Sequence, residues 1–481
     1  MVHSMPFIGR KSELNDLGLL LKKKTASLVV IQGRRRIGKS RLIQEFGKNQ
    51  HFYPFSGFPP APHTSEQEQR NEFMRQLVKL TGLPYMDVDD WSHLFLLLSK
   101  HLEDKQAIIL FDEISWMGSK DPNFLGKLKN AWDLHFKMNP RLILIFCGSV
   151  SAWIEKNILG HTGFMGRVSL TLALNELTLS ESNLFLDALG MGDSSFEKFK
   201  ILAITGGIPR YLEEIQPSLT VEENIKRLCF TKKGFLFREF NDIFSDLFSK
   251  RSEIYKKIVG SLEEGSLEYN EICEKVGFPK SGHVSEYLDE LIKSGFISRD
   301  YTWHLKSKKE SRLSHYRLSD NYVRFYLKYI EKNKGKIERS HFEERALMNF
   351  PGWESIMGLQ FENLVLNNRS ALHKKLNIYP EEIVADNPFF QRKTTRIKGC
   401  QIDYLIHLKH NVLLACEMKF SRDKIGTKII PEMERKLSAL SLPTGFSVRP
   451  VLIHVNGVET SVIEHDFFSN IVDFSDFLEE V

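Results

Sequence analysis

Apolar residues recur along the chain with two periods, and the change from one to the other divides the sequence into regions. In residues 25–215, short apolar runs alternate with longer segments of helical period. The clearest runs, residues 27–31, 107–111 and 142–146, are apolar at almost every position. Strands with this composition are buried on both faces, as in a parallel sheet covered by helices on each side. We therefore predict an α/β domain here.

The pattern changes beyond residue 215. Residues 220–295 have helical period, and residues 297–318 form a predicted hairpin with a polar, basic middle. Within the helical part, three helices are expected to begin at Tyr255, Tyr269 and Ser281. Residues 353–453 show a helix followed by alternating strands, which predicts a separate α/β unit. We place the domain boundaries so that the domains are residues 1–215, 216–250, 251–330 and 331–481.

Composition and charge exclude several classes of protein. The 481 residues contain 66 Lys and Arg against 61 Asp and Glu, a net charge of +5, so any polyanion site must be local. The five Cys residues form no CxxC pair, which excludes a zinc ribbon or a disulfide framework. Since apolar stretches fall short of the roughly 18 residues that cross a bilayer, we expect a cytoplasmic protein without a membrane partner.

A phosphate-binding loop is predicted between the first strand and the helix that follows it. The segment Gly33–Ser40 fits the pattern GxxxxGK[ST] in the strand–loop–helix context that the pattern requires. Inward backbone N–H groups and the helix N-terminus attract anions. Lys39 would bind the β/γ-phosphates of ATP, and Ser40 would ligate Mg²⁺. The predicted nucleotide-binding residues of this segment are Gly33, Arg34, Arg35, Arg36, Ile37, Gly38, Lys39, Ser40 and Arg41.

Polar residues at the ends of other strands supply the remaining groups that ATP hydrolysis needs. Asp112 and Glu113 follow the strand 107–111, so Asp112 would join the Mg²⁺ shell and Glu113 would polarise the attacking water. Ser149 follows the strand 142–146 and either senses the γ-phosphate or simply closes the strand. Arg167 is a candidate for stabilising charge on the phosphates.

These segments together resemble the archaeal-type ATPase family, a branch of the AAA+/STAND-like P-loop NTPases. The resemblance is carried by residues 7–14 (FIGRKSEL), Gly33–Ser40, Asp112–Glu113, residues 147–149 (CGS) and residues 205–212 (TGGIPRYL). It implies that Ile8, Gly9 and Arg10 lie near the adenine. It also implies that residues 206–209 begin a helical lid, in which Pro209 and Arg210 contact the nucleotide, with Arg210 resembling a sensor-2 residue.

The middle region has the order of a winged helix: three helices and then a hairpin. In this fold the third helix can enter the major groove of DNA. Residues 303–317 of the hairpin carry five basic residues and one acidic residue, so phosphate backbone is the expected partner. The alternative is that the module only packs and the basic hairpin is a solvated edge. The candidate nucleic-acid contacts are Lys306, Lys308, Lys309 and Arg312.

Carboxylates on two strands of the C-terminal region predict a metal site. Residues 401–406 and 413–420 form a predicted hairpin that brings Asp403 close to Glu417, and strand period places Glu417 and Lys419 on one face. Asp403, Glu417 and Glu362, on a preceding helix, would hold Mg²⁺ or Mn²⁺. Lys419 would orient the attacking water, or stabilise the developing charge, in phosphodiester cleavage. The alternative is an ordinary surface ion pair.

This region resembles the PD-(D/E)xK nuclease superfamily and, more narrowly, the DUF234-type domain that accompanies these ATPases. The segments that carry the resemblance are residues 316–321 with Phe325, Gly358 with Glu362, Asp403, and Glu417 with Lys419. The resemblance implies a restriction-endonuclease-like fold, in which the carboxylates can also persist without cleavage.

The sequence therefore predicts a P-loop ATPase core with the start of its lid (1–215), a helical lid or linker (216–250), a winged helix (251–330) and a nuclease-like domain (331–481). The expected function is ATP hydrolysis coupled to metal-dependent cleavage of DNA, or of RNA, in processing, defence or a stress response. The competing hypothesis is a non-catalytic, ATP-dependent switch that binds nucleic acid or protein. The sequence leaves the oligomeric state open.

Overall fold

The computed structural model describes residues 6–59, 64–103, 105–149, 151–192, 194–248, 251–279, 282–342, 346–395 and 397–479. The chain divides into two compact units, Met1–Asn175 and Glu176–Val481. The division falls before the predicted boundary at residue 215, so the first helices of the predicted lid belong to the second unit. Ser281, the expected start of one helix, lies outside the described residues. No helix among the described residues is long and apolar enough to span a membrane.

The first unit contains a five-stranded parallel sheet with helices between the strands, which confirms the predicted α/β class. The strands are β1 (Ser27–Gln32), β2 (His51–Ser56), β3 (Ala107–Asp112), β4 (Leu142–Gly148) and β5 (Val168–Ala173). The helices are α1 (Lys11–Leu20), α2 (Lys39–Gly47), α3 (Glu66–Thr81), α4 (Trp91–His101), α5 (Ile114–Met117), α6 (Phe124–Leu134) and α7 (Ser151–Ile154).

The order of the strands across this sheet is β2-β3-β4-β1-β5. Strands β1 and β4 are completely buried, as their apolar sequences require, and an aromatic cluster that includes Phe73, Trp91 and Phe95 packs under β3. Because β1, β3 and β4 are parallel, the residues that follow their carboxyl ends meet at one edge of the sheet.

The second unit begins with a helical region and a two-stranded hairpin. Its helices are α8 (Leu179–Leu189), α9 (Ser195–Thr205), α10 (Pro209–Leu212), α11 (Val221–Cys229), α12 (Phe235–Phe248), α13 (Ser252–Ser261), α14 (Tyr269–Val276) and α15 (Gly282–Lys293). The hairpin consists of β6 (Ile297–Trp303) and β7 (Glu310–Leu318), which pair antiparallel. A bridge between Leu267 and Tyr316 ties the segment before α14 to β7.

A mixed five-stranded sheet forms the C-terminal part of this unit, in the order β12-β11-β10-β9-β8. Its strands are β8 (Ile383–Gln391), β9 (Cys400–Leu408), β10 (Val412–Lys419), β11 (Ser447–His454) and β12 (Asn470–Asp473). The accompanying helices are α16 (Asn321–Phe325), α17 (Lys332–Glu338), α18 (Trp353–Asn367), α19 (Arg369–Lys375), α20 (Ile429–Ala439) and α21 (Thr460–Glu464).

The hairpin β6–β7 shares a hydrophobic core with the C-terminal sheet. Trp303 and Leu305 pack into the cluster that contains Leu405 of β9 and Met433 of α20. The indole N–H of Trp303 also donates to Nδ1 of His407 at 3.3 Å. Since apolar and polar contacts both join them, the hairpin and the sheet are parts of one folded body.

Candidate functional site

The phosphate-binding loop lies at the carboxyl edge of the first sheet. Gly33 follows β1 with φ of 150°, and a Cβ there would come within 2.5 Å of the carbonyl oxygen of Leu174. Gly38, at φ of 91°, starts α2 from the left-handed region. Glycine meets both requirements because it lacks the Cβ that would clash. The loop backbone therefore curls as the sequence predicts.

Lys39 is directed into the curl of this loop. Its Nζ donates to the carbonyl oxygens of Gly33 at 2.8 Å and Arg34 at 3.0 Å, and the residue is only 6% exposed. An ammonium group fixed among inward-facing backbone groups is suited to bind the phosphates of a nucleotide. Of the other predicted residues, Arg34 and Ile37 are buried, Arg35 and Arg36 are half-buried, and Arg41 is exposed.

The ends of β3 and β4 bring three polar side chains together beside the loop. Ser40 Oγ donates to Oδ2 of Asp112 at 2.8 Å, so the two predicted Mg²⁺ ligands are in contact. Oε2 of Glu113 accepts from the backbone N–H of Ser149 at 3.3 Å and from its hydroxyl at 3.1 Å. Glu113 itself has φ of 48°, which turns its side chain away from the strand direction. The structure thus joins all four residues at one edge.

Arg10 ties the segment before α1 to the loop. It has a left-handed backbone, and its guanidinium donates to the carbonyl oxygen of Ile37 at 3.4 Å and to that of Asn175. It also pairs with Glu13 at 3.1 Å. Ile8 and Gly9 directly precede it. The segment that the resemblance assigns to adenine therefore lies against the phosphate loop, and its contact with adenine stays a prediction.

Arg167 is not brought to the phosphate loop of its own chain. Val168 begins β5 and is paired with Leu28 at the start of β1, whereas the loop follows the other end of β1, roughly 17 Å away. The guanidinium of Arg167 instead binds Asp133 through two hydrogen bonds of 3.0 and 2.9 Å. This pairing holds the pKa of Asp133 well below its usual range. The expectation that Arg167 stabilises phosphate charge in this loop is not supported.

Two features of this edge were not predicted from sequence. Glu155, in the short π-helix Glu155–Leu159 after α7, accepts from Nε2 of Gln32 at 2.8 Å and so adds a carboxylate beside the end of β1. Cys147 is buried in β4, and burial together with the nearby Asp112 carboxylate raises the pKa of its thiol. Glu155 belongs to no recognisable motif, and the CGS segment that contains Cys147 gives no sign that its thiol lies beside Asp112.

In the second unit, Pro209 begins α10 and Arg210 follows it. The guanidinium of Arg210 pairs with Glu213 at 3.0 Å and with Glu214 at 2.5 Å, and it lies over the ring of Phe235 at 5.0 Å. These contacts hold Arg210 on its own helical region. Its predicted contact with nucleotide, like that of Pro209, stays a prediction.

The tip of the hairpin β6–β7 presents its predicted cations to solvent. Lys306, Lys308, Lys309 and Arg312 are all exposed. Arg317, the fifth basic residue of the predicted hairpin segment 303–317, is buried and donates to Asp300 at 2.9 Å. The exposed tip therefore carries four cations against Glu310, one fewer cation than the sequence indicated.

The hairpin β9–β10 brings two carboxylates together as the sequence predicts. The strands are paired antiparallel, with Cys416 opposite Tyr404, so Asp403 lies beside Glu417. Oδ2 of Asp403 accepts from the backbone N–H of Met418 at 2.9 Å. Burial and the neighbouring Asp403 raise the pKa of Glu417 to about 7, although Lys436 lowers it in part. The spacing of the hairpin is confirmed, and the roles of its residues stay predictions.

The third predicted ligand, Glu362, lies near Asp403 and near two arginines. Burial and then Asp403 raise the pKa of Glu362 to about 8, while Arg324 and Arg317 act in the opposite direction. Among the residues that the structure describes, no three His, Cys, Asp or Glu side chains are grouped so that they could hold a metal ion. Glu362 therefore lies close both to Asp403 and to the two arginines, and its role as a metal ligand stays a prediction.

The lysine at these carboxylates is not the one that the sequence indicated. Lys419 points to Glu432 of α20 at 3.1 Å, and both side chains are about 40% exposed. Lys436, also on α20, donates to Oδ1 of Asp403 at 3.4 Å and to Oε2 of Glu417. Burial disfavours the charged form of Lys436, but the two carboxylates outweigh it and raise its pKa. Sequence reasoning missed Lys436 because no motif links α20 to β10.

One known protein is similar to this chain over most of its length, and another is similar over a short segment. An uncharacterized protein of Methanocaldococcus jannaschii, MJECL04, is 26% identical over 445 residues, which cover 91% of this chain and 93% of that protein. An uncharacterized ATP-binding protein of the same organism, MJ0423, is 42% identical over 43 residues, which cover 9% of this chain and 73% of that protein.

Solved structures with a similar chain path are more distant. The Walker-type ATPase PABY2304 of Pyrococcus abyssi has a TM-score of 0.49 at 17% identity, covering 67% of this chain and 96% of that one. The ORC2 protein of Aeropyrum pernix has a TM-score of 0.46 at 13% identity, covering 71% and 97%.

A family model described as an ATPase domain predominantly from Archaea matches residues 7–215. The match spans the phosphate loop, the Asp112–Glu113 pair and Ser149, which the structure independently places at one edge of a parallel sheet. Residues 7–215 therefore belong to a P-loop ATPase domain of the archaeal type.

Proposed function

We propose that this protein hydrolyses ATP and that its nucleotide state controls a C-terminal site that cleaves the phosphodiester backbone of DNA with Mg²⁺ or Mn²⁺. The observation that carries the proposal is that the Asp403 and Glu417 side chains, 11% and 6% exposed, lie side by side on the paired strands β9 and β10. Two adjacent buried carboxylates form a suitable binding place for a divalent ion.

The ATPase half of the proposal assigns a role to each residue at the carboxyl edge of the first sheet. Lys39 binds the phosphates, and Ser40 with Asp112 holds Mg²⁺, which neutralises charge on the transferred phosphoryl group. Glu113, oriented by Ser149, accepts a proton from the attacking water. The contact of 2.8 Å between Ser40 and Asp112 supports this assignment, because both groups must face the same ion.

The nuclease half rests on the chemistry of the two carboxylates. Mg²⁺ is commonly bound through one or two carboxylates, while water and substrate phosphate oxygens complete its octahedral shell. Asp403 and Glu417 fit this donor set without Glu362. A bound divalent ion would polarise the phosphate and lower the pKa of a bound water. The chain itself orients both carboxylates: the Met418 N–H fixes Asp403 and β10 fixes Glu417.

DNA as the substrate is supported by the middle of the second unit. Helices α13, α14 and α15, the bridge at Leu267 and the hairpin β6–β7 follow one another in the order of a winged helix. Its exposed cations, Lys306, Lys308, Lys309 and Arg312, would contact phosphates. In this proposal residues 216–250 form the lid or linker, residues 251–330 the winged helix and residues 331–481 the nuclease-like domain.

A cleavage assay tests the proposal. The wild-type protein is incubated with Mg²⁺ or Mn²⁺ and with single-stranded DNA, duplex DNA or RNA, each with and without ATP. We expect cleavage of DNA that depends on ATP, and a loss of cleavage in Glu417→Gln while ATP hydrolysis is unchanged. Glu432→Gln is the matched control, since Glu432 also pairs with a lysine of the same strand–helix contact. Cleavage that persists in Glu417→Gln would refute the site.

A second candidate function is a non-catalytic, ATP-dependent switch that binds nucleic acid or protein. It is favoured by the Lys436 ammonium, which already neutralises both carboxylates, and by the lack of a three-ligand metal group in the described ranges. A switch of this kind would bind DNA in a manner that Lys39→Ala changes, yet would cut no substrate with either metal.

A further inference from the structure

Two ion pairs join strand β10 to helix α20. In one the strand provides the lysine, and in the other it provides the carboxylate. Glu417 and Lys419 are two positions apart on the strand and therefore share a face, and Glu432 and Lys436 are four positions apart on the helix. Lys419 pairs with Glu432, and Glu417 pairs with Lys436. Each element thus contributes one lysine and one carboxylate.

The two pairs differ in their surroundings. The side chains of Lys419 and Glu432 are 41% and 40% exposed, so water and salt screen their attraction. The Glu417 side chain is 6% exposed, Asp403 11% and Lys436 30%. Electrostatic interactions are stronger where water is excluded. The Lys436 pair is therefore the one with the surroundings of a reactive site, and the Lys419 pair resembles a surface contact.

Hydrolysis of a phosphodiester needs a cation near the oxygens that gain negative charge. Water oxygen adds to phosphorus, and the bond from phosphorus to one bridging oxygen breaks. One proton of the water ends on that leaving oxygen and the other on the new phosphate monoester, so no oxidant or reductant takes part. A phosphate bound at Asp403 and Glu417 would lie within reach of the Lys436 ammonium, whereas Lys419 is engaged with Glu432.

We propose that Lys436 of α20, rather than Lys419 of β10, is the catalytic lysine of the Asp403–Glu417 site. This inference rests on the proposed nuclease function. Lys436 stays protonated and donates N–H groups to non-bridging phosphate oxygens, where they stabilise the charge that develops as water attacks. In the free protein the same ammonium keeps the two carboxylates together. Lys419 then serves to dock α20 on β10.

Three lysine variants test this assignment. Lys436→Met is expected to lower the rate of DNA cleavage about 100-fold or more. Lys419→Met, which removes the ion pair with Glu432, is expected to lower this rate by less than about threefold, because an exposed ion pair contributes little. Lys428→Met, at an exposed lysine directly before α20, is the matched control. Far-ultraviolet circular dichroism and the unfolding temperature verify that each variant is folded at the temperature of the assay.

Binding of Mn²⁺ alone, measured by electron paramagnetic resonance, gives a readout that does not depend on turnover. Removing the ammonium removes a competing charge beside Asp403 and Glu417, so Lys436→Met should bind Mn²⁺ about fivefold more tightly, and Lys419→Met should bind it as the wild type does. Unchanged Mn²⁺ affinity in Lys436→Met, or a larger loss of cleavage in Lys419→Met than in Lys436→Met, would overturn the assignment. A wild-type protein that cuts no substrate would instead overturn the nuclease function on which the assignment rests.

Discussion

Glu113 is held in place by hydrogen bonds from Ser149, and this contact links two strands at the ATPase site. The hydroxyl and the backbone N–H of Ser149, directly after β4, both donate to one carboxylate oxygen at the end of β3. Two donors on one oxygen fix the side chain's direction, and the other oxygen can still accept a proton from water. The sequence left open whether Ser149 has a role, and the contact indicates that it positions Glu113.

Substitution of Glu113 by glutamine therefore separates binding of ATP from its hydrolysis. We expect Glu113→Gln to lower the rate of phosphate release about 100-fold or more, since general-base catalysis contributes on the order of 10²–10⁴. The affinity for ATP should stay unchanged because Lys39 and the loop are intact. Phosphate release and binding of a fluorescent ATP analogue measure the two quantities. Glu103→Gln, at an exposed position, is the control. Hydrolysis at the wild-type rate in Glu113→Gln would exclude Glu113 as the base.

At the scale of elements, the sequence predicts best those features whose residues all lie within one short stretch of the chain. The buried strands β1 and β4 and the loop Gly33–Ser40 are local patterns, and the structure confirms them. The pairing of β9 with β10 was also predictable, because a short turn fixes which residues lie opposite.

Contacts between distant elements were not predictable from these patterns. Lys436 reaches Glu417 because α20 packs on the sheet through Ile429 and Met433, and no local pattern specifies where a helix will pack. Arg317 was counted as an exposed cation, yet its partner Asp300 lies on the neighbouring strand and both are buried. The alternation of side chains along a strand shows which residues share a face. It does not show which face of a hairpin another part of the chain will cover.

The exposed tip of the hairpin β6–β7 gives a prediction about this element alone. Each lysine that contacts a phosphate releases counterions, so changing Lys306, Lys308 and Lys309 to Ala should weaken DNA binding and lower the slope of log affinity against log salt by about 2–3. Fluorescence anisotropy at several salt concentrations measures both. Trp303 and Leu305 anchor the hairpin in the core, so the triple variant should stay folded. An unchanged slope would show that the tip does not contact phosphates.

At the scale of the whole molecule, the chain consists of two compact units, Met1–Asn175 and Glu176–Val481, and the phosphate loop belongs to the first. Each unit has a sheet and a hydrophobic core of its own. Units with separate cores commonly unfold in separate transitions. A ligand that binds one folded unit raises the stability of that unit by mass action and leaves the other unaffected.

We therefore expect two transitions in scanning calorimetry, of which Mg²⁺ and a non-hydrolysable ATP analogue raise the one that belongs to the first unit. Ligand at about 100 times its dissociation constant contributes about 2.7 kcal/mol, or roughly 5–10 °C for a unit of this size. Lys39→Ala should abolish the shift without moving either transition in the absence of nucleotide by more than a few degrees. If neither transition moves, Lys39 and its loop do not bind ATP in this protein.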